Sequence, residues 1–146
     1  MKTFVLKGNY TDRKWYIIDA NDQIFGRFCS RIASILRGKH KPVFSLNCDV
    51  GDYVIVVNAD KVRMTGNKLN NKMYYKHTGY IGHLKTTSFR KLMQNNPEFV
   101  VKNAIRRMLP KNSLGRKMLK KLKVYAGPDH PHTAQKPEVL DLSTLR

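Results

Sequence analysis

Two hydrophobic rhythms run along the chain. Trp15-Tyr16-Ile17-Ile18-Asp19 is a short aromatic and β-branched run bounded by turn residues, which predicts a buried strand over Trp15–Asp19. Apolar positions then recur at helical spacing. Phe25, Phe28, Cys29, Ile32, Ala33 and Leu36 share one face, with Arg27, Ser30, Arg31 and Ser34 elsewhere. The spacing predicts a helix over 25–36, with Gly38 just past its last turn. A second buried strand, 53–58, follows the turn-rich stretch 47–52. Strand, helix and strand without a hairpin signal imply a parallel crossover, and continuous apolar strands suit a sheet covered on both faces. Residues 62–65 and Met73–His77 are weaker strand candidates, split by the polar Gly66-Asn67-Lys68.

From Ser88 the pattern is helical again. Ser88 can cap a helix over 89–94, and Pro97 suits the first position of one running to about Met108, which Pro110 closes. Asn112 or Ser113 can cap the next helix, where Leu114, Met118 and Leu122 recur at four-residue spacing. Asp60 reads as a helix cap, and 123–126 as a last short strand. The prediction is α/β, with a single domain over 1–126 and an extended, Pro- and His-containing tail over 127–146.

Charge changes this picture. The net charge is +18, and residues 61–125 hold 17 Lys and Arg against one acid, Glu98. Such a block repels itself unless a polyanion neutralises it. A membrane partner is disfavoured, because the longest apolar run is Tyr53–Val57, far short of the roughly 20 residues of a span. The opening residues 1–7 have too short an apolar centre for a secretory signal. Cys29 and Cys48 have no paired spacing, which predicts a reducing compartment, with Cys29 in the core.

The helical spacing sorts the cations. After Pro97, Val100, Ala104, Ile105 and Met108 are spaced to face inward, leaving Lys102, Arg106 and Arg107 outside. In the next helix Arg116, Lys117, Lys120 and Lys121 are left outward. A solvated face would mix both signs; this one lacks acids, so a nucleic-acid surface is the better reading. Tyr74-Tyr75-Lys76-His77-Thr78-Gly79-Tyr80-Ile81-Gly82-His83 interleaves aromatics and cations, suited to stacking on bases while touching phosphates. If it is a strand, one of Tyr74 and Tyr75 must face the core. Gly79-x-x-Gly82 matches the KH backbone clamp only superficially, since that clamp needs a helix on both sides. Arg37-Gly38-Lys39-His40-Lys41 is a further basic turn, equally able to serve as a helix dipole partner.

Other chemistry is thinly supported. His130-Pro131-His132 places two imidazoles close together, but without a second pair a zinc site is not expected. A Mg²⁺-dependent nucleic-acid hydrolase has only Asp19, Asp49, Asp52 and Asp60 as candidate carboxylates, and the rival enzyme reading uses Asp19 and Asp52; a general basic DNA-binding module is the other rival. No phosphate-binding or dinucleotide fingerprint occurs, so no cofactor, metal, catalytic residue or small-molecule substrate is expected.

Arg107-Met108-Leu109-Pro110-Lys111-Asn112-Ser113-Leu114-Gly115-Arg116, then Leu122-Lys123-Val124-Tyr125-Ala126-Gly127 and His130-Pro131-His132, resemble large-subunit ribosomal protein thirteen of the bacterial type. Trp15-Tyr16-Ile17-Ile18-Asp19-Ala20, Gly51-Asp52-Tyr53, Thr65-Gly66-Asn67-Lys68 and His77-Thr78-Gly79-Tyr80 follow that family's order. The resemblance implies a three-layer α/β/α fold around a mostly parallel four-stranded sheet, with basic C-terminal helices. It also implies a non-catalytic role: binding large-subunit ribosomal RNA early in subunit assembly, as a monomer beside neighbouring ribosomal proteins. The ribosome would be cytoplasmic, with an organellar one left open. Arg106, Arg107, Lys111, Arg116, Lys117 and Lys120 would touch phosphates, and Tyr74 or Tyr75 with His77 and Tyr80 would pack on sugars or bases. Arg37, Lys39, His40, Lys68, Lys76, Asn112, His130 and His132 complete the expected RNA-binding set.

Overall fold

The computed structural model describes residues 12–142, so the opening segment 1–7 lies outside the described residues. Strand β1 (Trp15–Asp19) pairs in parallel with β2 (Tyr53–Val57), Trp15 opposite Tyr53 and Asp19 opposite Val57. Between them runs helix α1 (Phe25–Arg37). It buries the predicted face and Ile35 as well. Gly38 ends it in the left-handed conformation at φ 82, and its N–H donates to the Ile35 carbonyl. A Cβ there would also collide with the Val50 side chain, so glycine is required twice over.

The later elements follow the same logic. Helices α2 (Lys68–Asn71), α3 (Phe89–Asn95), α4 (Pro97–Met108) and α5 (Ser113–Lys120) lead to β5 (Leu122–Val124). The Ser88 side chain accepts the Lys91 N–H at the start of α3, and the Asn96 side chain accepts the Phe99 N–H ahead of Pro97. Strand β6 (Glu138–Val139) completes a four-stranded, all-parallel sheet in the order β5-β2-β1-β6. The fold is α/β, in keeping with the three-layer α/β/α arrangement. Ile18, Val54, Val56 and Leu122 of the sheet form one core with Phe28 and Ile32 of α1 and Val100 and Ile105 of α4. Each such side chain stabilises the fold by about 1.5–3 kcal/mol when fully buried. Among the described residues no helix is long and apolar enough to cross a membrane.

Several expectations are corrected. Residues 62–65 are not a strand; Arg63 makes an isolated bridge to Ile24, clipping the start of α1. Asp60 caps nothing: it lies within a 3₁₀ turn, Ala59–Lys61, whose capping position is Asn58 at φ 54. Strand β3 (Met73–His77) stays out of the main sheet and forms an antiparallel hairpin with β4 (Leu84–Ser88), an element without an apolar pattern to announce it. Strand β1 is only half buried, and the last core strand begins at Leu122, not 123. Within the segment after Gly127, expected as an extended tail, β6 lines the sheet edge and the Leu140 N–H donates to the Ile17 carbonyl.

Candidate nucleic-acid interface

The turn between α4 and α5 gathers four cations around one groove. Helix α4 buries Val100, Val101 and Ile105, leaving Lys102, Arg106 and Arg107 exposed. Met108, expected inward, is 45% exposed because the helix ends there, beyond the core. The Asn112 side chain accepts the Gly115 N–H at 2.8 Å and so caps α5. Any Cβ on Gly115 would collide with the Pro110 carbonyl. The first turn of α5 therefore packs directly on the preceding turn, and the result is a groove of about 870 Å³ lined by Arg106, Arg107, Lys111 and Arg116. Lys117 and Lys120 are exposed farther along α5. None of these six cations has a carboxylate partner among the described residues.

The hairpin supplies the second surface. Tyr74 is half buried, its ring 6.3 Å from that of Phe89, and burial pushes its hydroxyl pKa up. Alternation along the strand then turns Tyr75 outward, 64% exposed. Lys76 and His77 are exposed. The His77 Nδ1 accepts the Gly79 N–H at 3.0 Å, and Gly79 and Gly82 take φ of 100° and 74° to close the loop. Strands, not helices, flank these glycines, so the KH comparison fails. Tyr80 is 76% exposed at the tip and Ile81 fully so. Lys76 lies directly opposite Lys85 in the ladder. Like charges facing each other across a pair destabilise a sheet, so this pairing favours an anion nearby. Lys85 escaped the sequence reading because β4 carries no apolar rhythm.

The remaining expected residues divide. Lys39 and Lys68 are exposed. Arg37 carries its guanidinium 5.7 Å from the Phe44 ring centre, and His40 Nε2 lies 2.8 Å from the fully buried Asp52. His132 bonds the Tyr125 hydroxyl at 2.8 Å and lies against Trp15, with His130 stacked beside it. Lys121, expected outward with its helix neighbours, is instead 3% exposed. Its ammonium donates to Asp49 and to the carbonyls of Leu36 and Gly51. Helix α5 has ended at Lys120, so Lys121 turns from the helical face into the sheet edge.

Asp52 and Lys121 belong to one polar cluster beneath the C-terminal end of α1. Burial would raise the Asp52 pKa, but hydrogen bonds from His40, Lys41 and the Lys14 N–H outweigh it and hold the carboxyl below its ordinary value. Burial pushes the Lys121 ammonium below its ordinary value, against the opposing pull of Asp49. Cys29 is free and buried, its thiol pushed up to about 12 by desolvation, as a core residue should be. Asp19 stands opposite Val57, at the far end of the strands from Asp52. At about 3.3 Å per residue the two carboxylates are roughly 16 Å apart, too far to share metal ions spaced about 4 Å.

Comparison with known proteins gives the family. A family model described as Ribosomal protein L13 matches residues 13–131. The chain is 56% identical to the large ribosomal subunit protein uL13 of Syntrophomonas wolfei, over 97% of this chain and 99% of that protein. It is 54% identical to the protein of the same name from Pseudoalteromonas atlantica, over 97% of this chain and 100% of the other. The Thermotoga maritima protein of that name is 55% identical, over 97% of this chain and 95% of its own length.

Proposed function

We propose, for a chain that belongs to the ribosomal protein L13 family, that it is a structural constituent of the large ribosomal subunit that binds large-subunit ribosomal RNA. The role is non-enzymatic. The observation that supports the reading most is the groove between α4 and α5, where Arg106, Arg107, Lys111 and Arg116 converge without an acid among the lining residues. An unneutralised surface of this kind contributes binding energy through counterion release when it meets phosphates. The β3–β4 hairpin adds Tyr75, His77 and Tyr80 as faces for sugars or bases, with Lys76 and Lys85 beside them. Lys117, Lys120, Lys39 and Lys68 extend the charged surface. Asn112 and Tyr74 serve the interface by shaping its backbone and packing, and His40, His130 and His132 by bracing neighbouring segments. Binding early in subunit assembly, as a monomer among neighbouring ribosomal proteins in a cytoplasmic ribosome, completes the proposal.

The salt dependence of binding to large-subunit ribosomal RNA tests it. Arg106→Ala combined with Arg107→Ala should lower the log–log salt slope by about 1.4–1.8 if each arginine neutralises one phosphate. Thermal melting should stay unchanged. An unchanged slope would move the contact surface elsewhere. Equal affinity for duplex DNA in competition at physiological salt would favour a general DNA-binding module instead.

A further inference from the structure

A second cleft, of about 500 Å³, opens between the start of α1 and the end of α4. Its apolar wall is made by Met64, Ala104 and Met108. Arg27, Lys68 and Arg107 stand around that wall, and no lining residue is acidic. Lys72 also lines it, its ammonium 5.3 to 5.9 Å from the ring centres of Phe25, Tyr74 and Phe89. Those rings stabilise a cation at a position where no carboxylate among the described residues pairs with it. Arg107 lines this cleft and the α4–α5 groove alike. The two therefore share one side chain.

We infer that this cleft receives a single unstacked nucleotide of the bound RNA, its base against the Met64–Met108 wall and its phosphate among Arg27, Lys68 and Arg107. The inference rests on the RNA-binding reading above. An apolar wall alone would suit many ligands, and cations alone would suit any polyanion. Their combination matches a group that is flat and apolar at one end and anionic at the other. The volume falls within the range of small-molecule sites, so it admits a nucleoside but not a duplex. Position favours RNA over an acidic peptide, because the cleft shares Arg107 with the α4–α5 groove that the reading above assigns to RNA.

Gly26 offers a test that separates binding from folding. It lies in the first turn of α1, lines the cleft, and has open space where a Cβ would stand. A glutamate at that position suits a helix start, so Gly26→Glu should melt at the wild-type temperature or above. In the cleft the same carboxylate opposes a phosphate. Affinity of the full chain for large-subunit ribosomal RNA should fall roughly tenfold or more, while Gly26→Ala stays within about twofold. Ultraviolet crosslinking of the wild-type complex made with 4-thiouridine-substituted RNA should attach nucleotide to the peptides carrying Met64 or Met108.

Wild-type affinity retained by Gly26→Glu, or crosslinks confined to the α4–α5 groove and the hairpin, would overturn the inference and leave the RNA-binding reading intact. Failure of the wild-type chain to bind ribosomal RNA would overturn both. Protection of the Met64 and Met108 peptides by a poly-glutamate peptide, with none from a single-stranded RNA oligonucleotide, would assign the cleft to an acidic protein segment and reject the nucleotide.

Discussion

Lys120 and Lys121 are neighbours in sequence, yet they belong to regions that handle charge in opposite ways. Lys120 projects from α5 without a carboxylate partner among the described residues, as do Arg106, Arg107, Lys111 and Arg116 around the adjoining groove. Lys121 is buried against Asp49 and the carbonyls of Leu36 and Gly51, next to Asp52 with its bonds from His40 and Lys41. Taking a charge out of water costs several kcal/mol, so burial persists only where partners replace the lost hydration. The cluster meets that condition internally. The α4–α5 face does not, and keeps its attraction for an external anion. Charge alone therefore does not distinguish the two lysines; the presence or absence of a partner does.

The largest effect separating the regions belongs to Lys121. Replacing it with alanine leaves the Asp49 carboxylate with Arg13 alone, at 3.5 Å, beside unsatisfied carbonyls, and should cost about 3–5 kcal/mol of unfolding free energy in urea titration. The salt slope of RNA binding by the folded protein should not move. A loss below about 1 kcal/mol would reduce the cluster to the standing of a surface ion pair.

A smaller, pH-linked effect belongs to Asp52. Its folded pKa lies below the ordinary 3.8, so its stabilisation is present above that value and is lost as pH falls through the folded pKa. Asp52→Asn should flatten the acid limb of stability against pH, followed by circular dichroism. An acid limb identical to wild type would show that other carboxylates dominate it. The smallest stability effect should come from Lys120→Ala, under about 0.5 kcal/mol. Its RNA salt slope should nevertheless fall by about 0.7–0.9, for one phosphate released. If Lys120→Ala destabilised the fold as Lys121→Ala does, the contrast between the two lysines would vanish.

Much of the scaffold was legible because its signals are local. Pro97, Pro110 and the spacing of Val100 and Ile105 bound α4 correctly, and Gly38 ended α1 where the pattern stopped. Asn112 was one of two capping candidates, and its side chain is the one that caps α5. The hairpin was half legible: Met73–His77 has strand-forming aromatics, while its partner Leu-Lys-Thr-Thr-Ser does not. The outward choice of Tyr75 over Tyr74 waited on Phe89, which packs beneath the hairpin. His40 and His132 stand out in the sequence only as members of basic or His-containing segments, and the bonds of their rings to Asp52 and Tyr125 come from the tertiary structure.

By itself the sequence determined the α/β class, the parallel crossover from β1 to β2, and the concentration of cations between 61 and 125. These depend on residue spacing and charge, which act over a few neighbours. Only the tertiary structure decided which cations remain free, since the partner of Lys121 lies 72 residues away at Asp49. It also decided that Glu138–Val139 returns to pair with β1, and that Arg107 lines two clefts. Burial and pairing are properties of segments distant in the chain and adjacent in space, and no local pattern encodes which of them will meet.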